Sequence, residues 1–192
     1  MSPKIFSLGA LAIASVVAIG AGIYAAAQTG PENFREARID LPNAEMLDAS
    51  ARVFQLRDDI EQDALVVINF SYTTCESICP LGNQILQFVD ERRGEVGRPV
   101  HLLTITIDPT SDTPEKMLAA AEAFGASENW HWLTSSPAVI SDILKAAGAN
   151  VADIEFHDPV FLVGEMESGQ YFRSLSMPDA DELISMLSHF DT

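Results

Sequence analysis

The chain has two cysteines, Cys75 and Cys79, and both lie in one segment, NFSYTTCESICP, residues 69–80. A free thiol is a liability in an oxidising compartment, so two cysteines four residues apart with no others are seldom accidental. Residues i and i+4 on one helical turn point the same way. At a helix N-terminus the dipole and the free N–H groups bias both sulfurs toward thiolate. Three chemistries fit that spacing: a structural staple, a reversible disulfide and a clamp for a soft metal. Chain-entropy arithmetic gives a staple over so short a loop only ~2 kcal/mol, and a domain of this length does not need one. Thiolates select Cu(I) and Zn(II), and Cu(II) when a nitrogen ligand joins them.

A third ligand would therefore be informative, and the four histidines are the candidates. His101 opens a run of apolar residues and His131 stands between Trp130 and Trp132, so both read as hydrogen-bonded structural residues. His189 falls in a last helical turn, where a cation offsets the dipole. His157, in EFHDPVFLV, stands on a loop just before a strand. In open α/β sheets the working site lies beyond the carboxyl ends of the strands, beside the helix that would carry the cysteines. His157 is the candidate third ligand, against the alternative of an ordinary loop histidine. Structural zinc normally takes four protein ligands, and only three can be named. Met117 and Met186 have core spacing, whereas Met46, Met166 and Met177 lie in less regular segments.

The elements that must position these residues alternate strand and helix. Residues 64–70, ALVVINF, and 100–107, VHLLTITI, are continuous apolar runs of the kind expected for strands buried on both faces. Between them, after Pro80, a helix presents Leu81, Ile85, Phe88 and Val89 on one face and stops at Gly94. Asp112-Thr113-Pro114-Glu115 marks a helix start, with an Asp or Thr cap and Pro in the first turn. That helix turns Met117, Ala121 and Phe124 inward. A strand over 130–133, a helix over 137–147 closed by Gly148, a hairpin of 159–163 with 171–175 and an amphipathic helix over 179–190 complete the chain. Residues 51–56 read as a short edge strand. Such alternation predicts a partly parallel sheet covered on both sides, in thioredoxin-like order.

Residues 5–27 form an uncharged apolar run, about 34 Å long as a helix and long enough to cross a bilayer. With Lys4 before it, positive-inside logic leaves the rest of the chain extracytoplasmic. An uncleaved anchor and a signal peptide cleaved after Ala25-Ala26-Ala27 are the two readings, and the length of the run favours the anchor. Residues 28–50 are polar, with Gly30, Pro31 and Pro42, and read as a linker, which leaves 51–192 as the domain.

Composition narrows the function classes. The 192 residues are 47% hydrophobic and 20% charged, which excludes a disordered chain and a multi-span membrane protein. A formal net charge of −17 argues against a nucleic-acid partner and against docking on anionic headgroups. It suits a protein partner with a basic face.

The sequence resembles the Sco/SenC family of copper-binding assembly factors. The resemblance rests on the block Asn69 to Pro80, on IDPTSDTPE at 107–115 and on His157, in that order within residues 64–190. It implies an inner-membrane anchor and a thioredoxin-like domain facing the periplasm, holding one copper ion, Cu(I) or Cu(II), through Cys75, Cys79 and His157. Such proteins serve the copper A centre of cytochrome c oxidase subunit II, by delivering copper or by preparing its thiols; another cuproprotein acceptor is equally open. Asp108 corresponds to a family acid near the site, with a turn residue as its local alternative.

The chain departs from the family in two places. It has Phe156-His157-Asp158-Pro159 where many members carry Asp-His-Ser/Thr, and so looks nearer to a branch with His-x-Pro. Pro159 stands where thioredoxin-like folds place a cis proline facing the cysteines, which also suits disulfide exchange. The segment ahead of the first central strand lacks the glycine-turned hairpin common in the family. The alternative function is a thiol–disulfide oxidoreductase in which Cys75 attacks and Cys79 resolves. Three residues between the cysteines, instead of the usual two, count against it. A copper or redox sensor would share the chaperone's chemistry.

Overall fold

A computed structural model describes residues 32–149 and 159–190. Two strands, β4 (Leu65–Ser71) and β5 (Val100–Thr106), are buried at every position, as strands covered on both faces must be. They pair in parallel from Leu65 beside Val100 to Ser71 beside Thr106. The strand β6 (Trp130–Thr134) continues in parallel beyond β5. Parallel neighbours need crossovers, and the helices α1 (Cys79–Arg92) and α2 (Pro114–Ala123) supply them. A helix α3 (Pro137–Ala146) follows β6. The strands β7 (Phe161–Gly164) and β8 (Gln170–Ser174) form an antiparallel hairpin, with β7 antiparallel to β4. A last helix, α4 (Ala180–His189), begins at a capping box between Asp179 and Glu182.

The stretch expected to be a linker contributes to the sheet. Within it, β1 (Phe34–Arg38) pairs antiparallel with β8, and β2 (Glu45–Asp48) pairs antiparallel with β6. The edge strand β3 (Val53–Gln55) pairs with β2, so the described sheet has eight strands in the order β1-β8-β7-β4-β5-β6-β2-β3. A polar, short edge strand carries little periodic signal, and its pairing with a distant strand is what makes it a strand. The β2–β3 hairpin turns without glycine: Ala51 takes φ 59°. That left-handed conformation is disfavoured for alanine. It is held by Asp48, whose carboxylate accepts from the N–H groups of Ser50 at 2.8 Å and Arg52 at 2.9 Å.

Strand alternation divides the core between the two sheet faces. Val66, Ile68 and Phe70 join Leu103 and Ile105 against Ile140 and Ile143 of α3. Leu65, Val67 and Leu102 join Leu86 of α1, Met117 of α2 and Leu183 of α4 on the other face. Both faces are therefore covered by helices, as expected, and Leu183, Ile184, Met186 and Leu187 are all buried.

One helix face is corrected. In α1 the inward residues are Cys79, Gly82, Asn83, Leu86, Val89 and Asp90, whereas Leu81 and Phe88 are 53% and 47% exposed. Small and polar side chains hold much of the buried face, and an apolar count alone cannot see them. Phe161 packs against Gly82, where a Cβ would sit in ordinary contact 3.4 Å from its ring. Among the described residues no helix is long and apolar enough to cross a membrane, and the expected anchor, residues 5–27, lies outside them.

Candidate metal centre

Cys75 and Cys79 sit at the carboxyl end of β4, where the chain turns into α1. Only Cys79 is in the helix; Cys75 belongs to the turn ahead of it, so the two do not share a helical turn. The Cys75 sulfur nevertheless meets the backbone of Cys79. Pro80 suits the first helical turn because its missing N–H needs no partner there. No side chain caps the helix and its first turn holds no acid. The Cys75 sulfur fills that role, accepting the Cys79 backbone N–H at 3.3 Å. Both are reduced thiols and both are buried.

Their environments set them apart. Burial raises the Cys75 thiol, but hydrogen bonds from the Cys79 side chain and backbone and from Ser77 outweigh it and bring it down to about 7. Burial pushes the Cys79 thiol up to about 12, assisted by its hydrogen bond to the Cys75 sulfur. Cys75 is thus the more acidic thiol of the two.

A buried acid, one of the two cap candidates that the sequence offered for α2, anchors the cysteine loop. The actual cap of α2 is Thr113. Asp112 is 1% exposed and reaches across to accept the Thr73 N–H at 3.1 Å and the Thr73 and Thr106 hydroxyls. It ties the loop two residues before Cys75 to the end of β5. The sequence signal was the adjacent pair of candidate caps, Asp112 and Thr113, of which a helix uses one. Asp108, the acid expected near the site, binds within its own turn, accepting from the Thr110 hydroxyl at 2.7 Å and the Ser111 N–H at 3.3 Å. Those bonds hold its carboxyl below the usual range, with the Ser111 contact the largest influence.

Pro159 lines a small cavity with Cys79, Ile78, Gly82, Phe161 and Met177, so the proline lies beside the second cysteine. The peptide bond before it lies outside the described residues, as does His157. Met46 and Met166 are buried core residues, Met166 accepting the Tyr171 hydroxyl at 3.3 Å. Met177 is the methionine near the cysteines. His101 and His131 are structural as expected: their ring nitrogens lie 3.0 Å apart, and His101 also contacts Glu61 at 3.1 Å. Among the described residues no three His, Cys, Asp or Glu side chains are grouped to hold a metal. Two adjoining soft sulfurs fit a soft metal and leave a further ligand to be supplied.

A parallel β-α-β core with paired cysteines where the first strand meets its helix, followed by a hairpin and a closing helix, defines a thioredoxin-like domain. The SCO1/SenC family profile matches residues 55–164, and the chain belongs to that family. Solved structures of the same fold include a SCO1/SenC family lipoprotein from Bacillus anthracis, with 19% identity and a TM-score of 0.70 over 82% of this chain and 98% of that one. Arabidopsis thaliana ScoI with copper bound aligns with 18% identity and a TM-score of 0.67, covering 78% and 96%. BsSco, a member of the Sco family of cytochrome c oxidase assembly proteins with a disulfide switch, aligns with 19% identity and a TM-score of 0.64, covering 81% and 95%. Among curated proteins no sequence matches the chain significantly.

Proposed function

We propose that the protein is a membrane-tethered, extracytoplasmic copper chaperone for the copper A centre of cytochrome c oxidase. One copper ion, as Cu(I) or Cu(II), is its cargo, and Cys75, Cys79 and His157 are the ligands. The observation that carries this reading is the Cys75 sulfur held on the backbone N–H of Cys79 at the N-terminus of α1, in a chain of the SCO1/SenC family. Soft thiolates match copper. His157 stands two residues before Pro159 in the sequence, and Pro159 lines a cavity with Cys79. Protons compete for all three ligands, so affinity falls with pH. Few ligands favour release by exchange onto an acceptor, subunit II or another cuproprotein. The apolar run at residues 5–27 supports tethering to the inner membrane with the domain in the periplasm.

The test is a copper titration of the reduced full chain beside Cys75→Ser, Cys79→Ser and His157→Ala, against a competing Cu(I) chelator and by the Cu(II)–thiolate absorption. One ion per chain is expected, lost with either cysteine and weakened without His157. Full affinity in Cys75→Ser would overturn the assignment.

The unequal thiols favour one second reading, a thiol–disulfide oxidoreductase. The Cys75 thiolate would attack a partner disulfide, forming a mixed disulfide and expelling one partner thiolate. Cys79, losing its proton, would then attack the Cys75 sulfur and release the second. The partner gains two electrons and this chain ends as the Cys75–Cys79 disulfide. His157→Ala would leave that exchange rate unchanged while weakening copper binding, which separates the two readings.

A further inference from the structure

Among the described residues six large apolar side chains are exposed, and two of them stand at the end of the sheet that carries the cysteines. Leu81, 53% exposed, lies two residues beyond Cys79 on α1, and exposed Phe88 shares its helix face two turns further on. Leu175, 57% exposed, follows β8. The strand β7 is antiparallel to both β4 and β8, so β8 ends where β4 gives way to the cysteine loop. The register fixes the level: Phe161 pairs with Asn69 of β4, and its N–H donates to Ser174 Oγ at 3.0 Å. Leu175 comes next in the chain, and two residues beyond it Met177 lines the cavity shared by Cys79 and Pro159. We infer that Leu81 and Leu175 are the apolar anchors of a docking surface for the protein that takes copper from Cys75 and Cys79, with Phe88 at its margin. The surface rests on the copper reading for the identity of that partner.

Singly exposed leucines are ordinary on a soluble domain, and position is what sets these two apart. Copper that passes by ligand exchange is never free, so an acceptor atom must bond the ion while Cys75 or Cys79 still holds it. Each Cu–S bond broken here is replaced by one to the acceptor, protons from the acceptor's thiols pass to Cys75 and Cys79, and copper keeps its oxidation state. The acceptor therefore lies against the surface around Cys79. An ordinary interface covers about 800 Å² of each partner, a patch roughly 30 Å across. Leu81 is well inside such a patch, and Phe88, about 14 Å from Cys79 along the helix axis, is at its edge. Leu175 ends a strand two places from β4, roughly 10 Å away across the sheet, and also falls inside. Interface cores are apolar and their rims polar. Glu76, exposed between the two cysteines, gives the surface an acid that steers a basic rim toward it. The partner this surface fits is a copper-ligating protein with an apolar patch beside its ligands and basic groups around it. The remaining exposed apolar residues, Leu47, Val53 and Leu118, belong to β2, β3 and α2, none of which carries a cysteine.

The experiment mixes the copper-loaded full chain with the reduced, metal-free copper A domain of subunit II from the same organism and follows copper transfer by stopped flow. Leu81→Ser, Leu175→Ser and Phe88→Ser are compared with Val53→Ser, which changes a residue 56% exposed on β3. Cu(I) affinity against a chelator is read on each protein. Leu81→Ser and Leu175→Ser are expected to keep the parental copper affinity while the domain concentration that half-saturates transfer rises roughly tenfold. Phe88→Ser raises it by less, and Val53→Ser leaves it parental. Added salt slows association of all the proteins alike, because the charges steer the encounter. Parental half-saturation in both leucine variants, or an equal loss in Val53→Ser, overturns the surface. A leucine variant that loses copper affinity as well acts on the ligands, and that also overturns it. If the parent takes up no copper, or passes none to the domain, the chaperone reading falls. The surface is then decided by the Cys79→Ser chain and the oxidised domain, whose disulfide the Cys75 thiolate attacks to leave a mixed disulfide and one freed domain thiolate. Slower mixed-disulfide formation with Leu81→Ser and Leu175→Ser in that background supports the surface; equal rates, or no mixed disulfide, overturn it.

Discussion

The backbone N–H of Cys79 points at the sulfur of Cys75 from 3.3 Å, so a cysteine four residues upstream caps the helix that the second cysteine begins. A helix N-terminus favours an anion, and here the anion available is a thiolate. The two cysteines are therefore chemically unequal although they share one loop.

That inequality is visible in alkylation. In the metal-free reduced protein, iodoacetamide should label Cys75 first, with a half-point near pH 7, while Cys79 stays protected until far more alkaline pH. Peptide mapping by mass spectrometry gives the order, and earlier labelling of Cys79 would contradict the hydrogen-bond arrangement.

Asp112 is expected to matter at the cysteine loop more than at its own helix. Asp112→Ala leaves the Thr73 N–H and the Thr106 hydroxyl without their acceptor, at a cost of about 1–3 kcal/mol. Because Thr113 still caps α2, helix content should be kept while copper affinity drops. Urea titration and chelator competition on the same variant test the two halves; unchanged affinity would show that the loop holds its shape without this carboxylate.

The buried histidine pair makes stability depend on pH. Burial first, and then the neighbouring His101, bring the His131 imidazole down to about 4. In the unfolded chain it takes up a proton near pH ~6.5. As pH falls through that value the unfolded state binds a proton that the folded state refuses. Stability should be complete above pH ~6.5 and decline until pH ~4, by up to about 3 kcal/mol. His131→Gln should flatten that slope in urea titrations at pH 7 and pH 5, and an equal slope in both proteins would place the effect elsewhere.

The orientation of α1 predicts opposite outcomes for two leucines on one helix. Leu86→Ala empties a fully buried site and should cost about 2–5 kcal/mol. Leu81→Ser changes a side chain 53% exposed and should stay within about 0.5 kcal/mol of the parent. Thermal melts of both suffice, and a large loss at Leu81 would mean the helix is turned the other way.

Much of the frame was legible from local pattern. Leu65–Ser71 and Val100–Thr106 announced themselves as apolar runs of β-branched residues, and their burial on both faces follows from that composition. The helices read over 137–147 and 179–190 are realised, and the structure adds their caps, Ser136 and Asp179. The cysteines were legible because their relation is carried by spacing along one segment, and Pro159 only through family order. By contrast, β1 and β2 were read as linker. A strand of sequence FREAR has no apolar alternation, and it exists because β8 offers it a ladder over 130 residues away in the chain.

Sequence alone determined which chemistry the chain carries: two soft thiols beside a helix start. Those relations span a few residues, and local geometry fixes them wherever the chain goes. Tertiary structure decided how that chemistry is held. Asp112 reaching Thr73, Asn83 reaching Ser71 and Pro159 reaching Cys79 all join elements that only the closed sheet brings together. A carboxylate that caps its own helix and one that crosses to another loop are the same letter in the sequence. The difference is made by the packing of β4 against β5, which sets what each buried polar group can reach.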